Sequence, residues 1–153
     1  MHPYPHVYDV SATGVERGPV AVSAHGLAVL ETTPPPQFEG PEGFWSPETL
    51  LCAAVADCFV LTFRGIARAA RMEWVKLDCH VAGTLERRDG VAQFTRFVTA
   101  ATLTVPDDVE PDRARALLER AEHACLVANS LRAERVLRTE VLAVARAPAH
   151  STE

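Results

Sequence analysis

No cluster of lysines or arginines breaks the mixed charge of this chain, no Cys-x-x-Cys pair is present, and no apolar run is long enough to cross a bilayer. Each absence removes a class of function. Without a basic stripe there is no electrostatic footprint for a phosphate backbone, and a net charge of -5 makes nucleic acid a poor partner. Without Cys-x-x-Cys, neither a zinc ribbon nor a thioredoxin-type motif is written. His80 and His123 form no regular ligand spacing with the cysteines, so no metal is expected. The longest apolar stretch, Leu50 to Phe63, contains Asp57 and is shorter than the ~20 residues a spanning helix needs. Met1 to Ser11 carries His2, His6 and two prolines but no basic stretch leading into an apolar one, so it does not read as a signal peptide. The expectation is a soluble, cytoplasmic protein with neither nucleic acid nor membrane among its partners.

Internal repeats are missing too, and the only biased segment is rich in proline. What is present suits one buried core: 153 residues, 48% of them hydrophobic, read as a single domain over 1-153. The four cysteines are Cys52, Cys58, Cys79 and Cys125. Such an even number would suit disulfides in a secreted chain. In a reducing compartment the question becomes which of them is reactive.

The runs Val7 to Ser11, Val20 to Ser23 and Leu27 to Glu31 read as short strands, the last entered through a turn at Ala24-His25-Gly26. Thr32 to Ser46, with its prolines and with Phe38, Phe44 and Trp45, is a flap whose aromatics suit either packing or an apolar mouth. Ser46-Pro47-Glu48 opens a helix, with Ser as N-cap and Pro at the first helical position, extending to about Arg71. Between Leu50 and Phe63 that helix is apolar on all sides and must be covered on every face, for which a symmetric partner is the economical cover. Val75 to Leu85 alternates, Asp89-Gly90 suits a type I′ turn, and Val91 to Val105 forms the second arm of a long hairpin. A helix starting at Pro111 puts Ala114, Leu117, Leu118, Ala121 and Cys125 on its buried face, and Val136 to Val144 is a last strand. Strands, long helix, hairpin, helix and strand indicate an α+β fold and not a doubly wound one.

Ser46-Pro47-Glu48-Thr49-Leu50-Leu51 followed by Ala53-Ala54-Val55-Ala56-Asp57-Cys58-Phe59 resembles the helix signature of the OsmC/Ohr peroxidases, in which a Pro-Glu start leads ten residues later to the reactive cysteine. Val81-Ala82-Gly83 and Asp89-Gly90 fit that family's central hairpin, and Cys125-Leu126-Val127-Ala128-Asn129-Ser130 resembles its second cysteine motif. The likeness runs from about Val7 to Val144. It implies an OsmC-like fold with antiparallel sheets around a long central helix, in an intertwined homodimer. It also implies a thiol-dependent peroxidase that reduces organic hydroperoxides and is recycled by an external dithiol, of lipoyl type, with no bound cofactor. Carried over by motif, Cys58 attacks the peroxide, Cys125 resolves the product as a disulfide, and Arg17 in Val15-Glu16-Arg17-Gly18 is the active-site arginine, held by Glu48. No Pro follows Cys125, which points away from the Ohr branch and towards an OsmC-like one.

This chemistry has physical reasons. A thiol with an ordinary pKa of about 8.5 is mostly protonated at neutral pH, so the attacking sulfur needs neighbours that favour its anion. An arginine stays charged and offers a donor fork to sulfur and acid together. Glu48 and Cys58, however, stand about 15 Å apart along one straight helix, too far for one guanidinium. Either the helix start bends, or the two come from different subunits, with antiparallel helices crossing near Ala53. Glu48 also has the simpler reading of an acid in a first helical turn, and Arg17 that of a surface cation. Asp57 departs from the family pattern and would hinder ionisation of Cys58 if it faced the sulfur. Cys52 and Cys79 read as core residues. A rival function is a non-catalytic dimer of the same fold whose apolar cleft binds a small ligand.

Overall fold

Short β-branched runs punctuated by glycine can form only brief strands. In the computed structural model, which describes residues 2–146, β1 (Ser11–Thr13), β2 (Val20–Ser23) and β3 (Leu30–Thr32) make an antiparallel meander in the order β1-β2-β3. The chain divides into two units, Met1–Leu51 and Cys52–Glu153, and this meander belongs to the first.

Two strand expectations shift. Val7 to Val10 does not pair, because in the register Ser11↔Ser23 to Thr13↔Ala21 it would face residues from Ala24 on, where the chain turns away. The run at Leu27 becomes a strand only at Leu30, because a turn, with Gly26 at φ 74° and Leu27 N–H donating to Ala24 O, takes up its first residues. The proline flap is ordered by Thr33 N–H donating to Trp45 O at 2.9 Å and by a 3-10 turn at Pro36–Phe38. It closes tightly: a Cβ on Gly40 would lie 1.7 Å from Pro34 O, so only glycine fits.

Helix α1 (Pro47–Ala69) begins in the first unit and continues into the second. Its expected cap is present and reciprocal, with Thr49 N–H donating to Ser46 Oγ at 3.2 Å and Ser46 N–H donating to Thr49 Oγ1 at 2.9 Å. The helix ends two residues before Arg71. There Arg71 takes φ 50°, Arg71 N–H donates to Arg68 O, and Met72 N–H donates to Ala67 O, the paired bonds of a Schellman stop. By length and composition alone its 23 residues could cross a bilayer. Here Phe59, Phe63 and Ala67 are buried in the core of the second unit, against Ala101, Leu103 and Val105 and against Leu117, Leu118 and Ala121. Ala54, Asp57, Leu61, Arg64 and Arg68 form an exposed stripe on the helix, so this chain leaves one face uncovered.

The second unit is built on the hairpin β4 (Lys76–Arg88) and β5 (Val91–Pro106). Its turn has both residues at positive φ, 50° at Asp89 and 80° at Gly90, as a type I′ turn requires. Along β5 every second residue from Thr95 to Val105 is buried, the period of a strand with one face in a core. Helix α2 (Pro111–Ala124) presents the buried residues expected of it, and a one-turn helix, α3 (Leu126–Asn129), follows. Strand β6 (Glu134–Val144) then pairs parallel to β5, giving the order β4-β5-β6. This sheet is mixed where an antiparallel one was expected, because the helical crossover through α2 and α3 returns the chain to the end from which β5 started. The whole is α+β, with two sheets and one long helix.

Candidate functional site

The break between α2 and α3 falls on Cys125, which is the last cap of one helix and the first cap of the other. Its φ/ψ of -65°/109° is extended, so the chain turns there and sends the fully buried side chain inward. A helix start leaves its first N–H groups without partners in the helix. At this start the backbone of Val127 and Leu126 acts on the thiol of Cys58 on α1 and lowers its pKa.

Cys58 is only partly buried, and its surroundings compete. Burial pushes its thiol up. Hydrogen bonds from the backbone of Val127, the thiol of Cys125, the hydroxyl of Thr62 and the backbone of Leu126 act against this, and the outcome lies below the ordinary value of 9.0. Thr62 stands one helical turn along α1, its Oγ1 4.0 Å from Cys58 Sγ. Cys125 goes the other way: burial, followed by the hydrogen bond and charge of Cys58 and the charge of Glu122, raises it to about 11 despite a backbone hydrogen bond from Ala128. Cys79 is also held at about 11, by burial and by the charges of Cys125 and Glu122. Two neighbouring sulfurs that act on each other are thus shifted in opposite directions, Cys58 below its ordinary value and Cys125 up to about 11. Both are free thiols.

The other two expected residues lie in the first unit. Arg17 sits in the β1–β2 connection and lines an open cavity of about 420 Å3 with Glu16, Thr33, Glu39 and Phe44. Glu48 closes a neighbouring apolar cavity of about 430 Å3, lined by Val20, Val22, Pro35 and Phe38. Its Oε2 is buried and has no hydrogen-bond partner, and Arg17 and Glu48 line different cavities. No break in α1 falls between Glu48 and Cys58. Of the flap aromatics, Phe38 and Phe44 line these cavities, and all three are about half exposed.

Asp57 is exposed and is not among the groups acting on Cys58. Cys79 packs against the core, and Cys52 Sγ lies under Gly83 of β4. Among the described residues no group of three or more His, Cys, Asp or Glu side chains is placed to hold a metal. Thr62 and the amides of Leu126 and Val127 were not foreseen as part of the site. The i, i+4 spacing of Cys58 and Thr62 on a helix was a readable signal, but the amides come from a turn that no periodicity announces.

Comparison with known proteins bears on the family and the fold. The family described as OsmC-like protein matches residues 40–140. An uncharacterized protein of Bacillus subtilis (strain 168) is 20% identical over 127 residues, covering 81% of this chain and 85% of its own length. Among solved structures, an OsmC-like protein of unknown function from Vibrio cholerae superposes with a TM-score of 0.81 at 18% identity, covering 88% of this chain and 99% of its own. An organic hydroperoxide resistance protein from Elizabethkingia anophelis superposes with a TM-score of 0.74 at 19% identity, covering 94% and 100%.

Proposed function

This chain belongs to the OsmC-like protein family, and from that premise we propose that it is a cytoplasmic, thiol-dependent peroxidase acting on organic hydroperoxides. The observation that carries the reading is the meeting of Cys58, lowered below its ordinary pKa, with Cys125, buried and still protonated. The Cys58 thiolate attacks the distal peroxide oxygen, the O–O bond breaks, and the alkoxide takes a proton and leaves as the alcohol, with Cys58 now a sulfenic acid. Cys125 loses its proton and its sulfur displaces hydroxide from Cys58, so that water leaves and a disulfide forms. An external dithiol of lipoyl type then returns both thiols and is itself oxidised to a disulfide.

Arg17 and Glu48 complete the site in this reading as the peroxide-side cation and its holder. An unbroken α1 separates Glu48 from Cys58 by ten residues, which favours a homodimer in which the acid of one copy stands beside the sulfur of the other. The unpartnered Glu48 Oε2 supports the same arrangement.

Addition of one equivalent of cumene hydroperoxide tests the reading by thiol titration. Two of the four thiols should disappear, and none in Cys58→Ser. Four thiols persisting after long incubation would remove the peroxidase. A second reading, a non-catalytic dimer that binds a small apolar ligand, is favoured by the apolar cavity beside Glu48. Persistent thiols together with saturable binding of a hydrophobic probe would establish it instead.

A further inference from the structure

One guanidinium ties together the two helix ends on either side of Cys125. Arg135, the second residue of β6, places Nε 3.3 Å from Glu122 Oε1 in the last turn of α2. Its Nη1 donates to Asn129 Oδ1, at the end of α3, at 2.8 Å. Asn129 Nδ2 in turn donates to His123 O at 3.0 Å, so the side chain of Asn129 is fixed from both ends. The same two residues hold the backbone of Cys125, with Cys125 N–H donating to Glu122 O at 3.4 Å and Asn129 N–H donating to Cys125 O at 2.9 Å. The Arg135–Glu122 pair is substantially shielded, with side chains only 27% and 13% exposed, so solvent weakens it less than it weakens the chain's other ion pairs.

We infer that Arg135 is a positioning residue for disulfide formation, holding the α2–α3 joint so that the sulfur of Cys125 stays in line with Cys58. The inference rests on the peroxidase reading. Disulfide formation needs the attacking sulfur, the Cys58 sulfur and the departing hydroxide nearly collinear, and a displacement of about 1 Å in such a step costs up to about a hundredfold in rate. Residues 122 to 129 run from the last turn of α2 through the break at Cys125 to the end of α3, and the Arg135 side chain bonds to both ends of that stretch. It touches neither sulfur in the described contacts, so it acts through Glu122 and Asn129.

The quantity to measure is how Cys58 divides between sulfenic acid and disulfide after one equivalent of cumene hydroperoxide with dimedone present. This ratio depends on the second step and not on how fast the first occurs. The unaltered chain should give mostly disulfide. Arg135→Met should raise the dimedone adduct about tenfold at the expense of disulfide, with Arg135→Lys, which can still reach one partner, lying between. Asn129→Ala, at an exposed position, removes the Nη1 contact with little risk to folding and should shift the ratio in the same direction by a smaller factor. If Arg135→Met fails to fold, Asn129→Ala decides. An unaltered ratio in every folded variant overturns the positioning role and leaves the peroxidase reading standing. Neither adduct nor disulfide in the unaltered chain overturns the peroxidase reading and this inference with it.

Discussion

Burial and four hydrogen-bond donors compete at Cys58, and the donors prevail, so its anion is favoured by groups of the second unit alone. That separates it from its neighbours: at pH 8 a thiol held at about 11 is ionised only about one part in a thousand. Iodoacetamide at pH 8 should therefore label Cys58 well before Cys79 or Cys125, as read by peptide mass spectrometry, and equal labelling of Cys58 and Cys125 would contradict the assignment. Leu126→Pro probes one donor. Cys125 already has the extended backbone that a residue before proline requires, so the change removes the Leu126 N–H with little other disturbance. Alkylation of Cys58 at neutral pH should slow several-fold, with the unfolding midpoint little changed. Stability should also depend on pH in a stated direction. Cys79 and Cys125 stay protonated when folded up to about pH 11, whereas in the unfolded chain they ionise near 9. Above pH 9 the unfolded state thus binds fewer protons, and stability falls between about pH 9 and 11, by on the order of 2 kcal/mol for fully buried Cys125. Urea titrations at pH 8 and 10.5 measure this, and an unchanged midpoint would contradict the buried, protonated thiol.

Elements marked by local chemistry were legible in the sequence, and those set by distant partners were not. The Ser46 cap, the Asp89-Gly90 turn and the apolar spacing of α2 are each written within a few residues, and the structure has all three. The parallel direction of β6, the single turn of α3 and the Arg135 clamp depend on residues far apart in the chain, and no window of sequence carries them. The site divides along the same line: both cysteines could be picked out by motif, but the amides that act on Cys58 belong to the unforeseen α3. Gly83 shows how tightly the β4–β5 hairpin is packed. A Cβ there would lie 2.8 Å from Phe94 Cε1, 2.9 Å from Cys52 Sγ and 3.0 Å from Phe97 Cε1, and Phe97 is itself buried. Gly83→Ala should lose about 1–3 kcal/mol, the usual range for overpacking. Chemical denaturation reads the loss directly, and a stability equal to that of the unaltered chain would mean the aromatic pair can yield.

A face of α1 is left open in one chain and a buried carboxylate oxygen has no donor, and the homodimer proposed above would account for both. Light scattering should then give about twice the 16.6 kDa chain mass at micromolar concentration. Ala54→Trp, at a small exposed position where close helix approach is proposed, should drive the mass towards that of one chain. A stricter prediction concerns whose acid serves whose sulfur. Suppose Glu48 of one copy serves Cys58 of the other, and chains carrying Glu48→Gln are mixed with chains carrying Cys58→Ser. Each mixed dimer then holds one site with both residues altered and one with both intact. Random reassociation makes half the dimers mixed, so peroxidase activity should recover to about a quarter of that of the unaltered protein, although each variant alone is nearly inactive. If acid and sulfur serve within one chain, every site in the mixture lacks one of them, and activity stays at the level of the separate variants. Co-refolding the two from denaturant before the assay ensures that subunits exchange, so a flat result would place Glu48 outside the chemistry of the neighbouring Cys58.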